Sequence, residues 1–475
     1  MPLACLRPCA ADLGRVGTCG DFQFVVTCAT SAAWSGCDCT GCCYDVLPPL
    51  RPPALPPLPP LSPPAPPPAT PPVSPPPPSP PPPVIELELG GGLQLDDLQQ
   101  VFDGEDELSG KIVHVHLVHR QQRRRLDHNH HGMSPGSIHR HLEVADDAIA
   151  PHLVFSSRTL PSEVVIEGGW PAVTLLRADA ARPSIMMLAG SPTVTLRRLH
   201  LQGSGGYGAP ALNVSASLLI VEDCVLSNHA VAAIHVSGAA AAVRIIGSSF
   251  KRNGNAVLAQ GGAVHARSFA AVEILRSEFT LNIAVDGGAI FTNRARLDVY
   301  ESVLVENYAN GSGGAIHAVK SRLHLRNGTM LRANVAMVSG QSVYLKESHA
   351  LYVLPAPLGR FVPGSIACDG STSALPTCEH EHSGMHVAPL HSPALDDYYY
   401  PPLCSAGFVG WTSAPPAQSS PSCAGLCPAG KYCLHGTVNP QPCSLGSYCV
   451  VGSPLPVPCQ PGSYGASSGL TSQQD

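Results

Sequence analysis

From about residue 190 to residue 350 the chain repeats one arrangement of apolar and polar positions. Leu218-Leu-Ile-Val-Glu-Asp-Cys-Val-Leu-Ser-Asn228 aligns with Val243–Asn253, Val272–Asn282, Leu297–Asn307 and Leu323–Asn334, and Leu196–Ser204 is a degenerate earlier copy. Each copy has a strand of alternating apolar residues, a small polar turn, a second short strand and then Asn. The Asn residues at 228, 253, 282, 307 and 334 lie 25, 29, 25 and 27 residues apart. A second marker follows: Ala233-Ile, Gly262-Ala-Val, Gly288-Ala-Ile and Gly314-Ala-Ile. The alternation has period 2 and never 3.6, so the repeat unit is built from strands.

A period near 26 with three short strands per copy predicts an all-β fold, one turn of a right-handed parallel β-helix per copy. Coils would stack ~4.8 Å apart with like residues over like. The predicted interior is Val, Leu and Ile from the first strand, Phe or Leu from the second and Ala-Ile from the third. Phe250, Phe279 and Leu304 should therefore share one inner row. Asn at the recurrent corner is expected to take left-handed backbone angles and to bond through stacked amides. The Gly residues before Ala-Ile mark corners that a side chain would obstruct. The ordered pair Phe-x-x-Asn and Gly-Gly-Ala-Ile resembles the repeats of polymorphic outer-membrane proteins, whose passenger domains are pectin-lyase-like β-helices. The resemblance covers roughly 190–350.

The solenoid is expected to extend over 84–356. Val164–Trp170, Ala172–Leu176, Ser184–Leu188 and Thr193–Leu196 read as less regular coils, and Leu351–Leu354 as the closing strand. Val84–Leu89, a short helix over Leu93–Phe102 and a strand over Ile112–Val118 would cap the open end. The basic, His-rich stretch 119–141 reads as an exposed loop.

Cysteine placement adds the flanking modules. Of 18 cysteines, eight fall in 5–43 and nine in 368–459, with Cys224 alone between them. That predicts two small disulfide frameworks and an oxidising compartment. Residues 1–47 form a cysteine-rich module with Cys19, Cys28, Cys37, Cys39, Cys42 and Cys43 as disulfide candidates. The Cys37–Cys43 cluster could also bind metal as thiolates, but the even cysteine number favours disulfides. It resembles a small Gly-Cys-Asp-Cys-x-Gly-Cys module of algal proteins. Residues 48–83 are dominated by proline and predict a polyproline II linker spanning roughly 110 Å, similar to spacers of algal wall glycoproteins. A cysteine-containing connector, 357–422, leads to units in which Cys427, Cys443 and Cys459 recur every 16 residues, as do Cys433 and Cys449. With Cys423 these are the remaining disulfide candidates. Over 423–475 the pattern Cys-x-x-Gly-x-Tyr-Cys resembles ephrin-receptor-like modules, related to those of tumour-necrosis-factor receptors. The third unit departs from it, because Gly465 stands where a cysteine is expected. Nine cysteines leave one unpaired, and the polypeptide is expected to continue. The stretch from Tyr352 through Cys427 resembles large surface proteins of unicellular algae whose role is unsettled.

Charge narrows the function classes. Charged residues make up 13% with a formal net charge of -6, so no basic excess points to nucleic acid. No run of 18 apolar residues predicts a membrane-spanning helix. The first residues lack the apolar core of a signal peptide, which predicts an incomplete N-terminus. An extracellular or cell-surface location is expected, with anchoring through a missing C-terminal segment as an alternative.

Candidate chemistry is sparse. Asp223, Glu273, Glu278, Asp286, Asp298, Glu301 and Glu306 are scattered between coils. Only Glu273 and Asp298 occupy equivalent positions in adjacent copies, where a carboxylate pair for hydrolase or lyase chemistry is conceivable. Solvated outward residues are the preferred reading, and no catalytic residue is assigned. His128, His130, His131, His139, His141, His380 and His382 sit in polar surroundings without metal-site spacing, so neither metal nor cofactor is assigned. Cys224 reads as a buried free thiol. Asn213-Val-Ser, Asn310-Gly-Ser and Asn327-Gly-Thr are glycosylation candidates. The chain is thus expected to be a non-catalytic structural, adhesion or ligand-binding protein. Polysaccharide or a cell-surface protein is the expected partner. A polysaccharide-cleaving β-helix enzyme and a receptor ectodomain are the alternatives.

Overall fold

A computed structural model describes residues 182–203, 208–368, 385–390, 394–395 and 399–474, with shorter stretches upstream at 8–10, 16–18, 99, 112–119, 137–144, 152–156, 161–168 and 174–177. The chain divides into two units, Met1–Pro80 and Pro81–Asp475. In the first, Pro8–Ala10 pairs antiparallel with Val16–Thr18. Cys19, Cys28, Cys37, Cys39, Cys42, Cys43, the proline tract and Val84–Leu89 lie outside the described residues.

In the second unit each apolar run is only two to six residues long within the coils, and a residue with positive φ turns the chain between runs. Ser217–Glu222 ends at Asp223 (φ 50°), Val225–Ser227 at Asn228 (φ 58°) and Ile234–Ser237 at Gly238 (φ 109°). Three such bends return the chain above its own start, giving a parallel β-solenoid of about seven turns, from Glu163–Glu167 to Val343–Lys346. Strands such as Ser217–Glu222 form a first sheet, those such as Val225–Ser227 a second, and those such as Ile234–Ser237 a third. Beside the second sheet, Ile283–Ala284, Tyr308–Ala309 and Val335–Ala336 stack into a small fourth sheet.

The interior is a set of columns. In the first sheet Leu219, Val243, Val272, Leu297 and Leu323 stand in register, as do Val221, Ile245, Ile274, Val299 and Leu325. The second sheet contributes Leu201, Leu226, Phe250, Phe279, Leu304 and Leu331 in one row, and the Phe250 and Phe279 rings stack at 4.7 Å and 4°. The third contributes Ile234, Val264, Ile290, Ile316 and Val343. All these side chains are buried, and each contributes roughly 1.5–3 kcal/mol through apolar area removed from water. The Gly-Ala-Ile markers are explained by close backbone approach. A Cβ on Gly288 would lie 2.1 Å from the Gly314 carbonyl oxygen, and Gly287 has φ 63°.

Polar ladders hold the corners, and here one expectation is corrected. The left-handed residue is not the ladder Asn but the one before it: Arg252, Leu281, Glu306 and Ala333 have positive φ, not Asn253, Asn282, Asn307 or Asn334. The Asn side chains point inward and are used for hydrogen bonding. Asn282 Nδ2 donates to Asn307 Oδ1 (2.9 Å) and to the Phe250 carbonyl (3.0 Å), and the Asn282 backbone N–H also donates to Asn307 Oδ1 (3.0 Å). Asn253 and Asn307 repeat the pattern toward the next coil. These amides are fully buried, so each satisfied group avoids a cost of about 1–3 kcal/mol. In the preceding coil Asn228 takes the left-handed position and His229 occupies the ladder site. Its backbone N–H donates to Asn253 Oδ1, and its Nε2 lies 3.1 Å from the Leu201 carbonyl. Burial pulls the His229 pKa down to about 4, so at neutral pH the uncharged ring donates as an Asn amide would. A serine ladder lines the first corner: Ser277 N–H donates to Ser302 Oγ, Ser248 N–H to Ser277 Oγ and Cys224 N–H to Ser248 Oγ. Cys224 is its terminal rung, a buried thiol whose pKa burial raises to about 12.

Both ends carry added elements. At the start Ile112–His119 extends the first sheet, and Ser137–Val144 lies outside it, parallel and in register. The expected loop over 119–141 therefore gives way to a strand from Ser137, where Ser-Ile-His-Arg-His-Leu-Glu-Val alternates polar and apolar residues at most positions. Gln99, in helical conformation within the predicted helix, grips the edge strand Leu153–Phe155: its amide donates to the Val154 carbonyl and accepts from the Val154 N–H. At the far end the connector supplies antiparallel strands to all three sheets. Met385–Pro389 pairs with His349–Val353, Tyr399–Tyr400 with Met330–Arg332, and Ala394–Leu395 with Val343–Lys346. Antiparallel strands end a parallel stack without leaving an open aliphatic cross-section.

The C-terminal region joins this cap through Gln418, whose buried amide donates to the Ala356 carbonyl and accepts from the Ala356 N–H. Its framework is Cys404–Cys423, Cys427–Cys433 and Cys443–Cys449, and Cys368 is also disulfide-bonded. Gly430, Gly446 and Gly462 have positive φ at equivalent turns. Cys459, one of the disulfide candidates, is instead unpaired among the described residues: Gly465 stands where the equivalent units carry its partner. Tyr464 beside it is 77% exposed, whereas Tyr432 and Tyr448, next to formed bridges, are half-buried.

Candidate functional site

The register that stacks the core also stacks what points outward, and three outward columns carry chemistry. On the first sheet Arg244, Glu273, Asp298 and His324 occupy successive rungs. Glu273 and Asp298 are therefore neighbours, as their equivalent sequence positions implied, but each is already engaged. Arg244 Nε meets Glu273 Oε2 at 2.6 Å, and Arg296 Nε meets Asp298 Oδ2 at 2.6 Å. His324 Nδ1 lies 3.0 Å from Asp298 Oδ1 and 2.8 Å from Arg326 Nη2. One ring nitrogen cannot both donate to the carboxylate and accept from the guanidinium, and Arg326 Nη2 itself stands 3.5 Å from Asp298 Oδ1. Burial alone would push the Asp298 carboxyl up, but His324 and Arg296 outweigh it and hold the pKa below the ordinary value. An acid for glycosidic cleavage needs the opposite shift. The cluster is arranged as a fixed ion-pair network.

On the third sheet the residue following each Ala-Ile marker faces outward. Asn213, His235, His265, Phe291, His317 and Tyr344 form one column, and the five rings follow one another at centroid distances of 5.0, 5.3, 5.2 and 4.9 Å. Phe291 and His317 are buried in its middle, while His235, His265 and Tyr344 are partly open. Burial lowers the His265 pKa to about 4, helped by His235 and Arg267, and lowers that of His235. His235 and His265 are thus uncharged rings at neutral pH. His317 Nδ1 stands 3.3 Å from Asp286 Oδ1, a contact that lowers the Asp286 pKa.

At the third corner, where third-sheet strands turn into the first sheet, lies a recess of about 310 Å³ lined by Asn293, Arg294, Val319, Lys320, Lys346 and Glu347. Successive coils place Arg267, Arg294, Lys320 and Lys346 there, all exposed. Sequence reading missed both the ring column and this row. The signal was present at fixed offsets from the Ala-Ile marker, one residue on for the rings and three or four for the cations.

The other candidate residues scatter. Asn213 heads the ring column, half-buried, whereas Asn310 and Asn327 are exposed on different turns. The Thr329 hydroxyl of the third sequon is buried and donates toward the Val299 and Arg326 carbonyls. His139 and His141 fall on Ser137–Val144 opposite His114 and His116, while His128, His130, His131, His380 and His382 lie outside the described residues. Among the described residues no group of His, Cys, Asp or Glu is placed to hold a metal, and no helix is long and apolar enough to cross a membrane. No protein-family model matches the chain, and no curated protein or solved structure matches it.

Proposed function

We propose that the protein is a non-catalytic extracellular or cell-surface module whose solenoid binds an extended polymer, of polysaccharide type, along its length. On this reading the coils are a pectin-lyase-like β-helix used for display, and the C-terminal units are an ephrin-receptor-like stalk that sets the solenoid off from the surface. One observation carries the reading: the rings His235, His265, Phe291, His317 and Tyr344 recur in register down the outside, one per coil. A ligand matched to such a column must itself repeat along its length. Sugar rings in an extended chain do, and their C–H faces suit aromatic rings. The partly open rings at either end, His235, His265 and Tyr344, would make the contacts. The ion pairs that occupy Glu273 and Asp298 favour binding over cleavage. Asn310 and Asn327, exposed on turns, are the glycosylation sites that suit this setting.

The test is to screen the full chain against immobilised polysaccharides for retention and against the same polymers in solution for release of sugars. Retention without release supports the proposal. Release that is lost in Asp298→Asn would establish an enzyme instead.

A further inference from the structure

We infer that the third corner of the solenoid is a binding track for an acidic polysaccharide, one bearing sulfate or carboxylate groups. This deepens the polymer-binding reading and rests on it.

The three corners differ in charge. Over the last strand residue and the turn residue, from Ser217 onward, the first corner carries Glu222, Asp223, Arg276, Glu301 and Arg326, and the second carries Lys251, Arg252, Glu306 and Arg332. Both are mixed in sign. At the third corner the last strand residue and the turn residue read Arg267-Ser268, Asn293-Arg294, Val319-Lys320 and Lys346-Glu347 over four successive coils. Each coil contributes one cation, and an acid enters only at the end, where Glu347 meets Lys320 at 3.4 Å. Among the described residues Arg267, Arg294 and Lys346 have no acidic partner. That is notable in a chain of net charge -6, where acids are available to neutralise them.

Geometry selects the ligand class. The four cations climb ~14 Å at ~4.8 Å per coil, Arg267 and Lys346 at the last strand position and Arg294 and Lys320 at the turn position beside it, a spread that a single small anion cannot use in full. Arg294, Lys320 and Lys346 line the recess, and all four cations lie two to three residues beyond the ring column: His265 precedes Arg267 and Phe291 precedes Arg294. A linear polymer could therefore lie along the partly open rings while its acidic groups reach the corner. Exposed cations of this kind attract polyanions strongly at low salt and lose most of that attraction when the Debye length falls toward 3 Å near 1 M.

The experiment uses the full chain and three immobilised probes: dextran sulfate, polygalacturonate and neutral dextran. The expected result is retention on one or both charged polymers, at least tenfold weaker at 1 M salt than at 0.1 M, with neutral dextran retained less. The triple variant R267S/R294S/K320S should weaken retention at least tenfold. Serine already occupies equivalent corner positions at Ser237 and Ser268, so the fold should survive, as unchanged circular dichroism and thermal midpoint would show. The control K251S/R252S/R332S removes the same charge from exposed positions on and beside the second sheet and should retain wild-type binding. Sulfated and carboxylated ligands are told apart by which charged polymer is retained. Equal binding by the triple variant and the wild type, equal loss in the control, or full competition by free inorganic sulfate at matched charge would overturn the track. Retention on neutral dextran alone, insensitive to salt, would overturn it while leaving polymer binding intact; retention on no polymer would overturn both.

Discussion

The solenoid and the C-terminal cysteine-rich region solve the same problem, a chain of short strands with little sequence between them, by opposite means. In the solenoid, coils of 25 to 29 residues close over an aliphatic column, and the described coils contain one cysteine, Cys224, with its thiol free. In the C-terminal region the repeat is 16 residues, the buried side chains are largely the cysteines themselves, and the strands are two residues long. The difference is one of enclosed volume. A coil of about 26 residues can turn seven or more side chains inward, whereas a 16-residue unit has no interior to fill and must be cross-linked.

The largest effect separates the two regions outright. Reduction of Cys404–Cys423, Cys427–Cys433 and Cys443–Cys449 should unfold the C-terminal units while the solenoid keeps its strands. Hydrogen exchange measured with and without reductant reads this out: protection should vanish over 423–474 and persist over 217–346. Next in size, Phe279→Ala opens the inner row between Phe250 and Leu304 and should cost about 4 kcal/mol in urea unfolding. Asn307→Ala removes the acceptor of the Asn282 backbone N–H and of one Asn282 Nδ2 hydrogen, and the side-chain donor to the Phe279 carbonyl. A loss of about 3 kcal/mol is expected, and an apolar column alone would not explain it.

His229 sharpens the same point through pH. Its folded pKa is about 4 against an ordinary 6.5, so the unfolded chain binds the extra proton. The stability it contributes is complete above pH 6.5 and is lost as pH falls toward 4, up to about 3 kcal/mol. His229→Asn, which installs the ladder's own residue, should remove that part of the acid sensitivity in urea midpoints taken across this range. The smallest effect concerns the unfinished third unit. A Cβ at Gly465 would lie 3.4 Å from Cys459 Sγ, with the Leu470 side chain giving way. With oxidised glutathione as the two-electron acceptor, Gly465→Cys should form a 459–465 bridge, seen in the intact mass as loss of two hydrogens and of both thiols.

The solenoid was legible because its determinants are local and repeated. The period, the Phe250-Phe279-Leu304 row and the Gly-Ala-Ile corners are all written in each copy, and the paired 16-residue spacing marked the disulfide units. The ends were less legible because a cap occurs once. Nothing periodic announces that Met385–Pro389 turns antiparallel, or that Gln99 and Gln418 would each pair with a backbone edge. The Asn ladder was half legible: composition pointed to stacked amides, but only the backbone angles reveal that Arg252, Leu281, Glu306 and Ala333 make the turn. The ring column and the cation row were missed because alternation draws attention to the buried half of each strand, while the other half varies, as His, Phe and Tyr do after the Ala-Ile marker.

The stacking itself is most directly tested by distances between spin labels on the outer face of the second sheet. Gln202, Ser227, Lys251, Thr280, Val305 and Arg332 occupy successive rungs. With one label fixed at Arg332, moving the other from Lys251 to Ser227 to Gln202 should lengthen the measured separation by ~4.8 Å per step, reaching ~24 Å for the last pair. Separations that fail to grow in equal steps, or that follow distance along the chain instead of coil number, would contradict a solenoid of stacked coils.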